Sequence, residues 1–346
     1  MTACAGRLRK EYMRTAETGK WFQILGFSAR SVRRPISASA GVQARTSVSE
    51  WGFVSLPPVT FTVDVENPGE WGDAGPRYPA MTRRLLDFLE QHGIFGTFFV
   101  EDGTAVQTPD LVREIARRGH EVASHSYRHV DLVDETAAEF ATGIAAAKAR
   151  LEDLTGTAVL GFRAPRFSLT RRSRWAVEVL GRAGFAYSSS VLPGWGVPYG
   201  YRGAPCRPFL WPNGLLEIPC PIGRIGPLSV AFLGGMNLRY LPPWRYRWMT
   251  AAVGEQTCWT YCHPYDIDLD EPFRIIRERG LFCSVMLWCN RRTILRRWSG
   301  LASNPAPRFA DRLEALRLNA QVFVEPTTTP APTGSAAYSG RWFRPG

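Results

Sequence analysis

The sequence predicts an α/β fold built on a parallel sheet. Strand-like and helix-like segments alternate four times between residues 59 and 185. The strand-like runs are apolar and rich in β-branched or aromatic residues, as buried strands are. Polar residues cluster just past the C-terminal end of each strand, where parallel α/β folds place their active sites.

Residues 59–65 read as the first buried strand, ending in acids. Residues 78–92 carry Met81, Leu85, Phe88 and Leu89 at helical spacing, and Gly93 stops the helix. Residues 95–100 form the next strand, and 109–118 a short helix closed by Gly119. A strand at 121–124 leads into a pair of histidines. An Ala-rich helix at 135–154 ends at Gly156, a strand at 158–162 runs into Arg163, and a helix at 172–183 ends at Gly184.

Beyond this point the pattern changes. Residues 193–243 are rich in Gly, Pro and aromatics and read as a loop-rich insertion, with short strands at 215–219 and 228–232. A helix at 243–253, a strand at 257–262 and a helix at 271–279 follow, and 282–287 reads as a strand that closes the sheet. The expected domain spans 51–290. Residues 291–325 read as a C-terminal helical extension. The ends, 1–50 and 326–346, read as disordered.

The chain carries 42 Lys/Arg and 31 Asp/Glu. Its positive charge is not spread evenly. Residues 1–50 and 291–346 each carry nine basic and three acidic residues, leaving 24 basic and 25 acidic in between. Specific nucleic-acid binding would place a basic patch on the fold itself, so this distribution argues against it. No apolar run approaches the roughly 18–20 residues of a membrane span. The apolar stretch at 21–27 is broken by Gln23 and makes a poor export signal. The seven cysteines lack CxxC spacing and read as reduced, buried thiols. The expected location is the cytoplasm, with peripheral attachment at the inner membrane face through the basic ends left open.

His125 and His129 lie four residues apart, so one helical turn would let both imidazoles face one metal. Alone, such a pair is more often structural. Asp64 and Glu66 add to it, because alternate strand residues share a face. One acid with two imidazoles makes a three-ligand site, and the other acid is then free to take a proton from water. Arg163 stands at another strand end, within reach of the acids, and would keep the base ionised. His263, also past a strand, is a candidate acid for a departing amine. His92 and His120 read as surface or helix-terminal residues. The aromatics Trp195, Tyr199, Tyr201, Phe209 and Trp211 suit either a sugar-stacking groove or the core of the insertion.

The segments Thr62–Glu66, Gly96–Val100, Ser124–His129, Gly161–Pro165 and His263-Pro264, in that order, resemble the motifs of NodB-homology polysaccharide deacetylases (carbohydrate esterase family four) over about residues 57–290. Their wording is most similar to the subgroup associated with exopolysaccharide and exosortase loci. The resemblance implies a distorted (β/α) barrel of about seven strands and a divalent metal, with zinc favoured. It implies Asp64 as base, Glu66, His125 and His129 as metal ligands, Arg163 as the partner of the base and His263 as acid. It also implies the backbone N–H of Arg166 as an oxyanion donor. Trp195 and Tyr265 are the expected substrate contacts. The chain departs from the family in placing Val65 between the two acids, where adjacent Asp residues are common. The implied activity is removal of N-acetyl groups from an amino-sugar polysaccharide. A hydrolase of small cyclic amides or ureides on the same fold, or a non-catalytic carbohydrate-binding protein, are the alternatives.

Overall fold

The computed structural model describes residues 56–67, 76–195, 199–225, 228–276 and 280–325. The two segments expected to be disordered, 1–50 and 326–346, lie outside these residues. So does the end of the helix expected over 271–279; its described part, 271–276, is not helical.

The fold is α/β with a mostly parallel sheet. Its strands are β1 (Thr60–Val65), β2 (Thr97–Val100), β3 (Glu121–Ser124), β4 (Gly161–Phe162), β5 (Tyr187–Ser188), β6 (Phe209–Leu210), β7 (Leu216–Glu217), β10 (Trp259–Cys262) and β11 (Gln321–Val322). They are hydrogen-bonded in the order β10-β1-β2-β3-β4-β5-β7-β6-β11. Only the β6–β7 pairing is antiparallel. A separate hairpin joins β8 (Gly223–Ile225) to β9 (Leu228–Val230).

Period-two alternation sorts the strand residues into two buried layers. Phe61, Val63 and Val65 of β1 face the outer helices with Phe98 of β2. Their neighbours Thr60, Thr62 and Asp64 are also buried, on the opposite face. That inner face holds a second apolar cluster of Phe99, Ala123, Tyr187, Leu216, Trp259 and Phe309. Both faces are covered, which is why these strands read as continuous apolar runs. Gly96 precedes β2 because a Cβ there would lie 2.8 Å from the Phe61 carbonyl oxygen.

The helices on the outside follow ordinary end rules. Helix Ala137–Thr155 opens with a reciprocal capping box between Thr136 and Glu139 and closes on left-handed Gly156. A six-residue helix, Asp102–Gln107, escaped the sequence reading because it carries too few turns to show a period. His120 is buried rather than at the surface. It accepts the Gly96 N–H at 3.0 Å and meets Phe98 edge-on. Burial, with Arg118 and Arg308 nearby, pushes its pKa down to about 4.

Residues 282–287, expected as a closing strand, lie instead in the helix Gly280–Trp288. A short apolar run does not distinguish strand from helix by its period. The ladder therefore ends at β10. There Tyr261 makes an isolated bridge to Gly234, and Trp259 Nε1 donates to the Pro219 carbonyl just past β7 at 3.0 Å.

Residues 291–325 pack into the same body. Asn304 O accepts from Val59 N, and β11 pairs with β6. Phe309, fully buried, sits among Tyr187 at 5.7 Å, Trp259 at 6.1 Å and Phe99 at 6.4 Å. Phe309→Ala is expected to destabilise the fold by about 3–5 kcal/mol, the cost of an aromatic-sized cavity. Chemical denaturation followed by circular dichroism measures this; a loss below about 1 kcal/mol would mean the inner cluster does not depend on that ring.

Candidate active site

The site lies at the C-terminal ends of β1, β3, β4 and β10. Strand alternation carries Thr62 and Asp64 to the inner face, and Glu66 follows just beyond the strand. Arg163, fully buried after β4, meets them there. Its Nη1 donates to Asp64 Oδ1 at 2.6 Å and to Thr62 Oγ1 at 2.9 Å. Its Nε and Nη2 donate to the Ser189 carbonyl at 3.3 Å and the Ser189 hydroxyl at 3.2 Å. The guanidinium is sandwiched between the rings of Phe99, 3.9 Å away, and Trp259, 4.3 Å away. One buried cation thus uses four of its five N–H groups in hydrogen bonds and is stacked on two rings, which fixes Asp64 in place.

Glu66, His125 and His129 form the second group. One ligand atom from each lies within 4.8 Å of the others. Glu66 Oε2 is 3.6 Å from His125 Nε2 and in close contact with His129 Nε2. Ser126, at φ 72°, holds the left-handed turn that brings the second histidine back toward the first. His125 Nδ1 donates to the Arg163 carbonyl at 3.0 Å, so its Nε2 presents a lone pair to the cluster. Glu66 Oε2 is buried yet has no well-directed hydrogen-bond donor. A tetrahedral ion with ligands at about 2.0–2.2 Å separates its donors by roughly 3.3–3.6 Å; the Glu66–His125 distance matches this, while the His129–Glu66 contact is closer. The donor set therefore fits a divalent cation. Burial alone would raise the Glu66 carboxyl, but His129, His125 and His263 hold it well below the usual range. Burial lowers His129, and Glu66 more than reverses this. Glu101, at the end of β2, stands near both imidazoles and Glu66, with its carboxyl pushed up chiefly by burial.

His263 faces the two acids from the opposite side. Its Nε2 is 4.0 Å from Asp64 Oδ2 and 3.9 Å from Glu66 Oε1. Its Nδ1 donates to Asp266 Oδ2 at 2.8 Å. Asp266 is fully buried, with Arg239 Nη2 3.3 Å from its other oxygen. Burial would raise Asp266, but Arg239 and His263 bring it down to about 2. Burial would lower His263, yet Asp266, Glu66 and Asp64 raise it to about 9. Its neighbours thus favour the protonated imidazole.

Of the residues expected at the site, Asp64, Glu66, His125, His129, Arg163 and His263 converge. Tyr265 stacks on the His263 ring, centroids 4.6 Å apart and planes 10° from parallel. Arg166 lies in the turn after β4 at φ 53°, its side chain paired with buried Asp131 at 2.6 Å. Tyr199 donates to the same Asp131. The Trp195 ring is exposed and packs under Arg202 at 4.1 Å. Tyr201, Phe209 and Trp211 are buried with Phe323, so these three are insertion core rather than groove. Sequence reasoning missed Asp266, Arg239 and Ser189. Asp266 carried one signal, an acid three residues after His263, which caps the following turn. Arg239 and Ser189 carried none.

A buried arginine-braced carboxylate, a three-ligand cluster and a charged imidazole, gathered at strand ends, define a candidate hydrolytic metal centre. Residues 72–185 match the family model described as "Polysaccharide deacetylase". Residues 189–314 match "Domain of unknown function (DUF3473)". A peptidoglycan-N-acetylglucosamine deacetylase of Bacillus cereus is 33% identical over 31% of this chain and 38% of its own length. A chitooligosaccharide deacetylase of Rhizobium leguminosarum is 47% identical over 17% of this chain and 27% of its own. The chain therefore spans well under half the length of these curated relatives. A solved structure titled as a putative polysaccharide deacetylase from Mycobacterium smegmatis shares the fold, with TM-score 0.52 and 20% identity over 79% of this chain and 99% of that one.

Asp266→Asn is expected to lower the His263 pKa from about 9 toward 6.5, because the hydrogen bond that most favours the imidazolium loses its charged acceptor. Imidazole NMR titration of the metal-free protein reads this directly. Stability follows the same sign. The folded-state pKa is raised, so its contribution is complete below about 6.5 and is lost as pH climbs through 9. An unchanged midpoint in the variant would remove Asp266 from the account.

Proposed function

We propose that the chain is a metal-dependent hydrolase that removes acetyl groups from the amino sugars of a polysaccharide. The reading is carried by one observation: Glu66, His125 and His129 converge between two proton-handling pairs, Asp64–Arg163 and His263–Asp266. The names of the relatives support the substrate class. The donor set of two imidazoles and one carboxylate favours zinc. The subgroup wording of the motifs favours a role in exopolysaccharide synthesis.

A bound divalent cation would lower the pKa of water and polarise the acetamide oxygen. The chain's own groups do the rest. Asp64 is held through Oδ1 by Arg163, and its Oδ2 faces the space below His263, where it takes the proton of the attacking water. The backbone N–H of Arg166, in its left-handed turn, serves as donor to the oxyanion. His263 gives its Nε2 proton to the departing nitrogen, and Asp266, backed by Arg239, keeps that nitrogen aimed at the acids. Water adds to the carbonyl carbon, the carbon–nitrogen bond breaks, and acetate and a free amino sugar leave. Trp195 and Tyr265 are assigned to the sugar chain.

Chelation is expected to abolish acetate release from chitooligosaccharides, with zinc restoring it. His129→Ala should bind no metal in elemental analysis. Full activity in a chelated, metal-free sample would sink the proposal. Asp64→Asn should retain the metal and lose turnover by about 10²–10⁴-fold. Turnover within about threefold of wild type would place the base elsewhere.

A further inference from the structure

The helix Gly280–Trp288 is built inside out. Its sequence, GLFCSVMLW, is wholly apolar except for Ser284. Ser284 is its only buried residue, holding Ile276 N at 2.9 Å and the Gly280 carbonyl at 2.8 Å. Leu281 and Phe282 instead face solvent at 58% and 76% exposure, with Val285 on the same side. Phe273 and Ile275, just before the helix, are exposed as well. A water-soluble helix packed by its apolar face would show the reverse.

The surroundings of this face are cationic. The described residues of 273–297 hold five Arg and no acid. Arg274, Arg292 and Arg296 are exposed. The acids nearby are mostly engaged: Glu271 pairs with Arg291, and Asp268 pairs with Arg77 at 2.6 Å. Asp270 is the one exposed acid among the described residues of 264–300.

We propose that this face docks on an anionic lipid bilayer. Exposed Leu, Phe and Val flanked by Arg suit the boundary between headgroups and acyl chains, where apolar burial and attraction to anionic lipid act together. A neutral protein partner would leave the arginines without counter-charge. The inference goes beyond the hydrolase reading and does not depend on it.

The position gives docking a consequence. Arg239 donates through Nη1 to the Leu287 carbonyl at 3.0 Å, while its Nη2 sits beside Asp266. Tyr240 donates to the Met286 carbonyl at 2.7 Å. The docking helix is therefore tied, through one guanidinium, to the pair that carries His263.

The test is co-sedimentation of the full chain with phosphatidylglycerol and phosphatidylcholine vesicles. Strong binding to the first, weak binding to the second and release by salt are expected. Leu281→Gln/Phe282→Gln should cut partitioning about tenfold or more, while leaving far-ultraviolet circular dichroism unchanged. Hydrogen exchange on the wild type gives a reading that needs no variant: amides of 273–288 should gain protection when phosphatidylglycerol vesicles are added. Unchanged binding in the double variant, or protection confined to the basic ends, would overturn the proposal. So would a lipid-independent dimer that the double variant dissociates, since a second copy would then be the occupant.

Discussion

The Arg163–Asp64 pair is the constraint on which the site depends. A fully buried guanidinium is costly unless every donor and both faces are satisfied. Here Thr62, Asp64 and Ser189 take four of the five N–H donors, with a partner at each nitrogen, and Phe99 and Trp259 take the faces. These partners come from β1, β2, β10 and the segment after β5, and the arginine itself follows β4. The arginine therefore ties together much of the inner sheet at the end where the histidines stand. Its own carbonyl orients His125, so the same residue sets the base and one imidazole.

The electrostatics divide into two halves with opposite tasks. On one side, Arg163 accompanies the carboxylate proposed to accept a proton. On the other, Asp266 accompanies the imidazole proposed to donate one. Each helper is buried more deeply than the group it serves, or as deeply, and neither is open to water. Glu66 lies between, with an oxygen that finds imidazoles on two sides and no good donor. That arrangement would be poor protein design for an empty pocket and is sound for a cation site.

Much of this was legible in the sequence because it was local. Asp64 and Glu66 share a strand face, His125 and His129 share a turn, and strand ends marked where they would meet. The parallel order of β1 to β5 followed from the alternation. What escaped was set by contacts between distant segments. Nothing near Arg239 signals that it braces Asp266, 27 residues later in the chain. Nothing in residues 282–287 told strand from helix, because a short apolar run fits both. Phe309 looked like part of an appended helix, yet its ring completes the inner cluster.

The two family models divide the chain in a way the chemistry does not. The stretch at 72–185 supplies His125, His129 and Arg163, while Asp64 and Glu66 precede it and His263, Asp266 and Arg239 fall in the stretch of unknown function. β5 lies just past the first stretch and pairs with β7 inside the second. The reaction centre is thus not a portable cassette. Excising the recognisable third would yield two imidazoles and an arginine without Asp64 or Glu66. What is labelled unknown supplies the proposed proton donor and the two residues that hold it.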